Sequence, residues 1–548
     1  VRNQRACNKN KIFTLQGSDA EKAAASKQNG IIIFVEEGPM FVKVISMSVI
    51  GMESYPVFVE VDISQGLPQF ATVGLPDASV KESRDRIKAA IKNSGYRFPR
   101  SHVTINLAPA DVKKEGTGFD LPIAVGILAA EELIKEAALE NCFFIGELSL
   151  DGSIKGVSGI LPAAFKAKEM GIKSIFVPEE NAAEAAMVEG INVFPVKTLP
   201  DVVEFLGGRS NIEPVSLDIN QIFQKTRKYD VDFNEIKGQK QAMRALEIAA
   251  AGGHNVIMIG PPGSGKSMLA KRLPTILPDL SFEEAIEVTK VFSIAGSLNK
   301  DKMLIAVRPF RSPHHTISDA GLVGGGQTPR PGEISLAHLG VLFLDELPEF
   351  KKNALEALRQ PLEDGTITIT RSSVTASFPA KFMLVAAMNP CPCGYFGDRV
   401  HTCRCSPQQI RQYQSKISGP LLDRIDLHIE VPSVKYRALS DKELGESSAT
   451  IRDRVNKARD LQTKRFGHKG ILCNARMTEK QIRNFCPIDE ESHKLIEMAM
   501  EKLGLSARAV NRILKLSRTI ADLENKKDIE PAHIAEAIQY RSLDRSLI

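Results

Sequence analysis

The run Val57-Phe58-Val59-Glu60-Val61-Asp62-Ile63 follows a period of two, which predicts a strand with one buried face. His102 to Leu107 predicts another. Ser79 to Ser94 instead carries apolar residues at helical spacing, with Val80, Ile87 and Ile91 turned to a core, and Leu121 to Glu131 predicts a second helix. Strand and helix signals alternate in this way through residues 40–210, so this stretch reads as an α/β domain in its own right. Gly207-Gly208 and the polar residues up to Tyr229 predict a linker, 211–231. From 232 to 432 short apolar runs alternate with helices. Asn255–Ile259, Val341–Leu344 and Phe382–Met388 are apolar enough to be strands covered on both faces. Beyond Pro432, over 433–548, the pattern is helical only. It is clearest over Ser506–Leu523 and Pro531–Tyr540, the latter with proline at a helix start. The chain therefore reads as α/β and multidomain, and 548 residues suffice for about three or four domains.

Composition narrows the class without naming a partner. The 43% hydrophobic and 25% charged content is that of an ordinary globular protein. A net charge of +5 permits a nucleic-acid partner only where the basic residues cluster. No apolar stretch approaches ~20 residues, so no membrane span or membrane partner is expected. There is no secretory signal pattern, and a cytoplasmic location is the expectation. Residues 1–39 are polar and without period. Glu36-Glu37-Gly38 would be encoded by a purine-rich run just before the Met40 codon, so 1–39 are expected to be translated leader with Met40 as the natural start. A disordered extension is the alternative.

Chemistry enters at Gly260-Pro261-Pro262-Gly263-Ser264-Gly265-Lys266-Ser267, a full G-x-x-x-x-G-K-[ST] phosphate loop between an apolar run and a helix. Its glycines let backbone N–H groups turn in on phosphate oxygens, and the helix N-terminus adds partial positive charge. Lys266 is expected to reach the outer phosphates of ATP, and the Ser267 hydroxyl to hold Mg²⁺. Val341–Leu344 ends in Asp345-Glu346. Asp345 suits Mg²⁺ through water, and Glu346 suits polarising the attacking water. The third apolar run ends in Asn389, positioned to hydrogen-bond the γ-phosphate or that water, although asparagine also ends strands for turn reasons.

Two further segments carry a family resemblance. Gly332–Gly340 running into the acidic strand, and Ser418-Gly419-Pro420-Leu421-Leu422-Asp423-Arg424-Ile425-Asp426-Leu427-His428, resemble the magnesium-chelatase-like branch of AAA+ ATPases. The resemblance implies a P-loop three-layer α/β core over 232–432. It also implies that Arg424 is an arginine finger donated in trans, that Arg508 of Ser506-Ala507-Arg508 is a second sensor contacting the γ-phosphate, and that the assembly is a hexameric ring. A structural ion pair of Arg424 with Asp423 or Asp426 is the alternative. Residues 40–210 resemble the proteolytic domain of Lon proteases, with its ribosomal S5 domain 2-like fold. Lys114–Asp120 falls at the nucleophile loop, and Gly146–Lys173 at the stretch holding the lysine base. Here Gly118 stands at the serine position and Leu161 at the lysine position, and neither can acylate, so the domain is expected to be non-catalytic. A Lon-like domain, an AAA+ core and a C-terminal all-α lid together resemble the ComM/YifB family over residues 40–548. This implies a ring helicase driving branch migration of DNA, single-stranded or branched, in natural transformation. A chelatase-type protein remodeller without DNA contact is the alternative, and an ATP-dependent protease is argued against by the missing serine and lysine.

Four features remain. Cys391-x-Cys393 and Cys403-x-Cys405, nine residues apart in an insertion at 391–405, would enclose a tetrahedral Zn²⁺. Unrelated free thiols are the alternative, and a reducing cytosol disfavours a disulfide. Arg399, His401 and Arg404 on this protrusion are possible contacts to DNA or a neighbouring subunit. Gly321–Gln327 is expected to be a mobile glycine-rich loop facing a ring channel. Thr366–Phe378 alternates like a hairpin with Arg371 near its tip; it would grip phosphate, or be a plain surface hairpin. His314-His315 is expected to stabilise a turn.

Overall fold

The computed structural model describes residues 40–541, apart from 112–113, 115, 228, 299–302, 327–328, 371–374, 399–400, 435–444 and 468–472. Residues 1–39 thus lie outside the described residues.

The first domain is built on a long hairpin, β1 (Met40–Ile50) and β2 (Glu53–Ser64), paired antiparallel with Met40 opposite Ile63. The period-two reading holds, since Val57, Val59, Val61 and Ile63 are all buried. β3 (Gln69–Val73), β4 (His102–Ala108), β5 (Cys142–Phe144), β6 (Ser174–Pro178) and β7 (Asn192–Val196) complete a seven-stranded mixed sheet in the order β3-β4-β2-β1-β5-β6-β7. Helix Ala78–Asn93 starts where Asp77 accepts a 2.8 Å hydrogen bond from the Val80 N–H, and it buries Val80, Ile87 and Ile91 as its spacing requires. Helix Asp120–Ala130 is apolar on every side after its first residue and is buried throughout.

The predicted linker is partly a helix. Ile219–Lys225 is capped by Asp218 and places Phe223 edge-on against Phe282 at 5.9 Å, while Arg227 donates to the Leu280 carbonyl at 2.7 Å. Its Ile219, Ile222 and Phe223 supply a short apolar stripe that the polar neighbours obscure in the sequence.

The second unit is a five-stranded parallel sheet of β8 (Val256–Ile259), β9 (Phe310–Arg311), β12 (Val341–Leu344), β15 (Met383–Met388) and β16 (Leu427–Glu430), in the order β9-β12-β15-β8-β16. Val256 and Met258 face one apolar cluster and Ile257 and Ile259 another, so both sheet faces are covered. Two small hairpins are added. β10 (Gly324–Gly325) pairs with β11 (Arg330–Pro331), and β13 (Thr366–Thr370) pairs with β14 (Thr375–Pro379).

The expected loose loop at Gly321–Gln327 is therefore corrected. Gly321 to Val323 closes the short helix Asp319–Val323, and Gly324 enters a strand. A Cβ on Gly324 would lie 2.4 Å from the Arg330 carbonyl oxygen and 2.8 Å from Ile369 Cδ1, so this glycine permits close packing of the two hairpins. Gln327 lies outside the described residues.

After β16 the described residues are helical: Ser448–Phe466, Glu479–Phe485, Glu490–Leu503, Ala507–Leu523 and Pro531–Gln539. Among the described residues no helix is long and apolar enough to cross a membrane.

The first domain is seated on helix Phe282–Ile294 of the second. The Gly159 N–H donates to the Ser293 carbonyl at 3.2 Å, the Ser293 hydroxyl donates to buried Glu184 at 2.5 Å, and Lys290 lies 4.0 Å from the Phe165 ring centre.

Candidate nucleotide site

The phosphate loop leaves the C-terminal end of β8. Gly263 and Gly265 have φ of +74° and +94°, and a Cβ on Gly260 would lie 2.1 Å from the Val431 carbonyl oxygen. These glycines are thus required by backbone conformation and by close approach. Lys266 folds back across the loop. Its Nζ donates to the carbonyls of Gly260 at 2.7 Å and Pro261 at 2.9 Å, and lies 3.3 Å from Asn389 Oδ1 at the end of β15. Burial pushes its pKa below the ordinary lysine value, against the pull of Asp345 and Glu346.

The Ser267 hydroxyl donates to Asp345 Oδ2 at 2.7 Å. Glu346 stands exposed in the left-handed region, at φ +52°. Residues from three parallel strands converge here as the sequence predicts. This arrangement could cradle phosphate, offers an oxygen pair that could hold Mg²⁺, and leaves a carboxylate open to water.

Two neighbours have roles that differ from or go beyond the sequence expectation. His315 Nδ1 lies 3.5 Å from Glu346 Oε2, so His315 faces the acid and does more than stabilise a turn; His314 performs that role, 2.9 Å from Thr316 Oγ1. Gln239 is also left-handed, at φ +57°, and its amide donates to the Pro432 carbonyl at 2.7 Å and the Ser264 carbonyl at 3.2 Å. Beside it a cavity of ≈ 310 Å³ is lined by Gly238, Lys240, Glu430 and Val434. The only sequence signal was Gly238-Gln239 before a helix.

The four cysteines come together. Cys391 and Cys393 sulfurs are 3.4 Å apart, Cys391 and Cys403 3.7 Å, and Cys393 and Cys403 3.6 Å, and all four sulfurs lie within 4.8 Å of one another. Zinc–thiolate bonds of about 2.3 Å in a tetrahedron require sulfurs about 3.8 Å apart, so the set fits such an ion. Backbone N–H groups of Arg404 and Tyr395 hold the Cys393 thiol below its ordinary value, whereas the thiols of Cys403 and Cys405, beside the neighbouring sulfurs, are raised, so Cys393 is the readier of these three to ionise. The insertion rests on the phosphate loop: a Cβ on Gly394 would lie 2.6 Å from Pro262 Cδ. His401 bonds to Asp398 at 2.9 Å and Arg404 is exposed, while Arg399 lies outside the described residues.

Arg424 and Arg508 are brought near each other and not to the phosphate loop. Arg424 pairs with Glu363 and donates to the Pro420 carbonyl at 2.5 Å. Neither Asp423 nor Asp426 is its carboxylate partner. Asp423 lies 3.7 Å from Arg508, and Asp426 is held by Arg512 and, at 3.3 Å, by His254. These groups stand at the N-terminal end of β16, whereas the phosphate loop follows the C-terminal end of adjacent β8. A four-residue strand puts about 10–13 Å between the two ends. Arg371 lies outside the described residues.

A phosphate loop, paired acids and a covered parallel sheet define an AAA+-like ATPase of the magnesium-chelatase type. Family models agree: "Magnesium chelatase, subunit ChlI" matches residues 232–439, "Subunit ChlI of Mg-chelatase" residues 59–181, and "Magnesium chelatase, subunit ChlI C-terminal" residues 445–541. The chain is 46% identical over 508 residues to "Competence protein ComM" of Haemophilus influenzae, covering 92% of this chain and 98% of that protein. It is 45% identical to "Uncharacterized protein YifB" of Salmonella typhimurium, over 91% of this chain and 96% of that one. A distant likeness, 22% identity over 54% of this chain and 32% of the other, joins it to "Zygotic DNA replication licensing factor mcm6" of Xenopus tropicalis. The chain belongs to the ComM/YifB family of magnesium-chelatase-like ATPases.

Proposed function

We propose that this protein is an ATP-driven ring motor acting on DNA, a branch-migration helicase serving recombination during natural transformation. The observation that carries the reading is the pair of hairpins, β10–β11 and β13–β14, packed on each other at Gly324 and Ile369 and rooted in the core that holds the nucleotide site. Such hairpins, moved by hydrolysis, are suited to pull on a strand. The relatives named for competence and for DNA replication support the same direction.

In this reading Gly260 to Ser267 hold ATP, and Ser267 and Asp345 would hold Mg²⁺, which supplies charge neutralisation at the phosphates when bound. Glu346 orients and polarises the attacking water, and Asn389 with Lys266 holds the outer phosphate. Arg424 and Arg508 stand at the far end of the sheet from their own phosphate loop, so they serve a neighbouring subunit's ATP, and the active form is a ring, taken as a hexamer. Cys391, Cys393, Cys403 and Cys405 would hold a structural zinc ion that stiffens the ledge under Pro262. The domain over 40–210 is non-catalytic: Gly118 offers no oxygen, and Leu161 is wholly buried with its N–H donating to Glu184. Its boundary with the core at 211–231, and the lid from 433, complete the proposed organisation.

The test is ATP hydrolysis with and without DNA over a range of salt. The reading expects stimulation by DNA that falls steeply as salt rises, because phosphate contacts release counterions. Hydrolysis indifferent to DNA contradicts it and favours a protein remodeller.

A further inference from the structure

The β1–β2 turn of the first domain reaches into the second unit and touches β14 of the β13–β14 hairpin at Ala376 and Ser377, between its middle and its turn end. Gly51 sits in this turn at φ +61°, and a Cβ there would lie 3.3 Å from Ala376 Cβ and 3.3 Å from the Ser377 carbonyl oxygen. On either side of it, half-buried Val49 and Met52 pack against the apolar cluster that holds the hairpin's inner face, Ile367, Ile369, Ala376 and Phe378. The same two residues also pack against the cluster that joins the first domain to helix Phe282–Ile294.

Among the described residues the hairpin rests on the core beneath it, on the β10–β11 hairpin at Gly324 and on a turn belonging to another domain. A two-stranded hairpin of five residues a side is marginal on its own and takes its posture from what it rests on. The first domain is itself fixed to the core through Glu184, Ser293 and Gly159. Its turn is therefore a firm support and not a loose contact.

We propose that the Gly51–Met52 turn is a positioning element for the β13–β14 hairpin, so that the non-catalytic first domain sets how well the motor engages DNA without touching the nucleotide. This rests on the reading that the hairpin meets DNA. The partner class is the same, the phosphate backbone of DNA. What is added is the element that holds the gripping hairpin in place.

Three variants of the full-length protein test it beside the wild type. Gly51→Asn keeps the left-handed turn, which asparagine tolerates, but pushes side-chain atoms onto Ala376. Met52→Ala withdraws the support. Gly95→Asn is the control: Gly95 is also left-handed, at φ +86°, with nothing within 4 Å of its Cβ position. The readouts are basal ATP hydrolysis and the DNA concentration giving half-maximal stimulation. Gly51→Asn and Met52→Ala are expected to raise that concentration roughly three- to thirtyfold with basal hydrolysis unchanged, and Gly95→Asn to change neither. A general loss of structure would lower basal hydrolysis too, which separates the two effects. Arg371→Glu keeps the underlying reading distinguishable. If it leaves stimulation intact, the hairpin is not the DNA contact and this inference falls with that reading. If it abolishes stimulation while Gly51→Asn and Met52→Ala behave as wild type, the positioning role alone is overturned.

Discussion

The Ser267 hydroxyl donates to Asp345 Oδ2 across 2.7 Å, joining the end of the phosphate loop to the end of β12. That short bridge marks where a cation fits between hydroxyl and carboxylate, and it leaves Glu346, the next residue, free of the loop and facing His315. The proposed function therefore gives binding and hydrolysis to different side chains, which substitution can separate.

Lys266→Ala is expected to abolish ATP binding, because the ammonium is the loop's only side-chain cation toward phosphate. Glu346→Gln is expected to bind ATP nearly as the wild type does while hydrolysing it at least about a hundredfold more slowly, the usual cost of losing a positioned base. Equilibrium binding of labelled ATP beside steady-state hydrolysis distinguishes them. A Glu346→Gln protein that loses binding and hydrolysis equally contradicts the assignment.

The proposed function has Arg424 acting on a neighbouring subunit's ATP. Arg424→Ala and Lys266→Ala proteins are each expected to be inactive alone, with a loss of about a thousandfold or more for the finger. Mixed together, they should recover part of the activity, since rings then contain intact loops facing intact fingers. Hydrolysis measured against mixing ratio checks this, and a flat line at background refutes action in trans.

The cysteine set predicts about one zinc per chain by metal analysis, a stoichiometry set by four thiolates per ion. Cys391→Ser is expected to lose it. Because Gly394 lies against Pro262, removing the metal with a strong chelator is expected also to weaken ATP binding. Retention of full ATP affinity by a zinc-free protein would break that link.

Asp426 ties helix Ala507–Leu523 to the core sheet through Arg512. Burial alone would raise its pKa, but Arg512 and His254 hold the carboxyl well below the ordinary range. A folded-state pKa below the unfolded one means that the contribution to stability is complete above about pH 4 and fades as pH falls below it. Asp426→Asn is expected to cost roughly 3 kcal/mol, since it leaves Arg512 without its partner. Denaturant unfolding should show that difference constant from neutral pH to about pH 5 and shrinking below about pH 4. A difference that grows on acidification contradicts the pairing.

What the sequence made legible was local. The phosphate loop, the Asp345-Glu346 strand end and the strands at Val57–Ile63 and His102–Leu107 follow from spacing within a few residues. The linker helix was hidden because three apolar residues sit among polar ones. His315 and Gln239 were missed because their roles arise only when segments far apart in sequence meet, at Glu346 and at Pro432. The carboxylate partner of Arg424 was misplaced for the same reason: Glu363, 61 residues away, reaches it, whereas the adjacent Asp423 turns to Arg508. Gly324, expected to loosen a loop, instead lets two hairpins approach.

The most direct measurement is ATP hydrolysis and unwinding of forked DNA in the same reaction, with Glu346→Gln as control. The account predicts DNA-stimulated hydrolysis and strand separation, both lost in the variant. Robust hydrolysis that ignores DNA and separates no strands would contradict it.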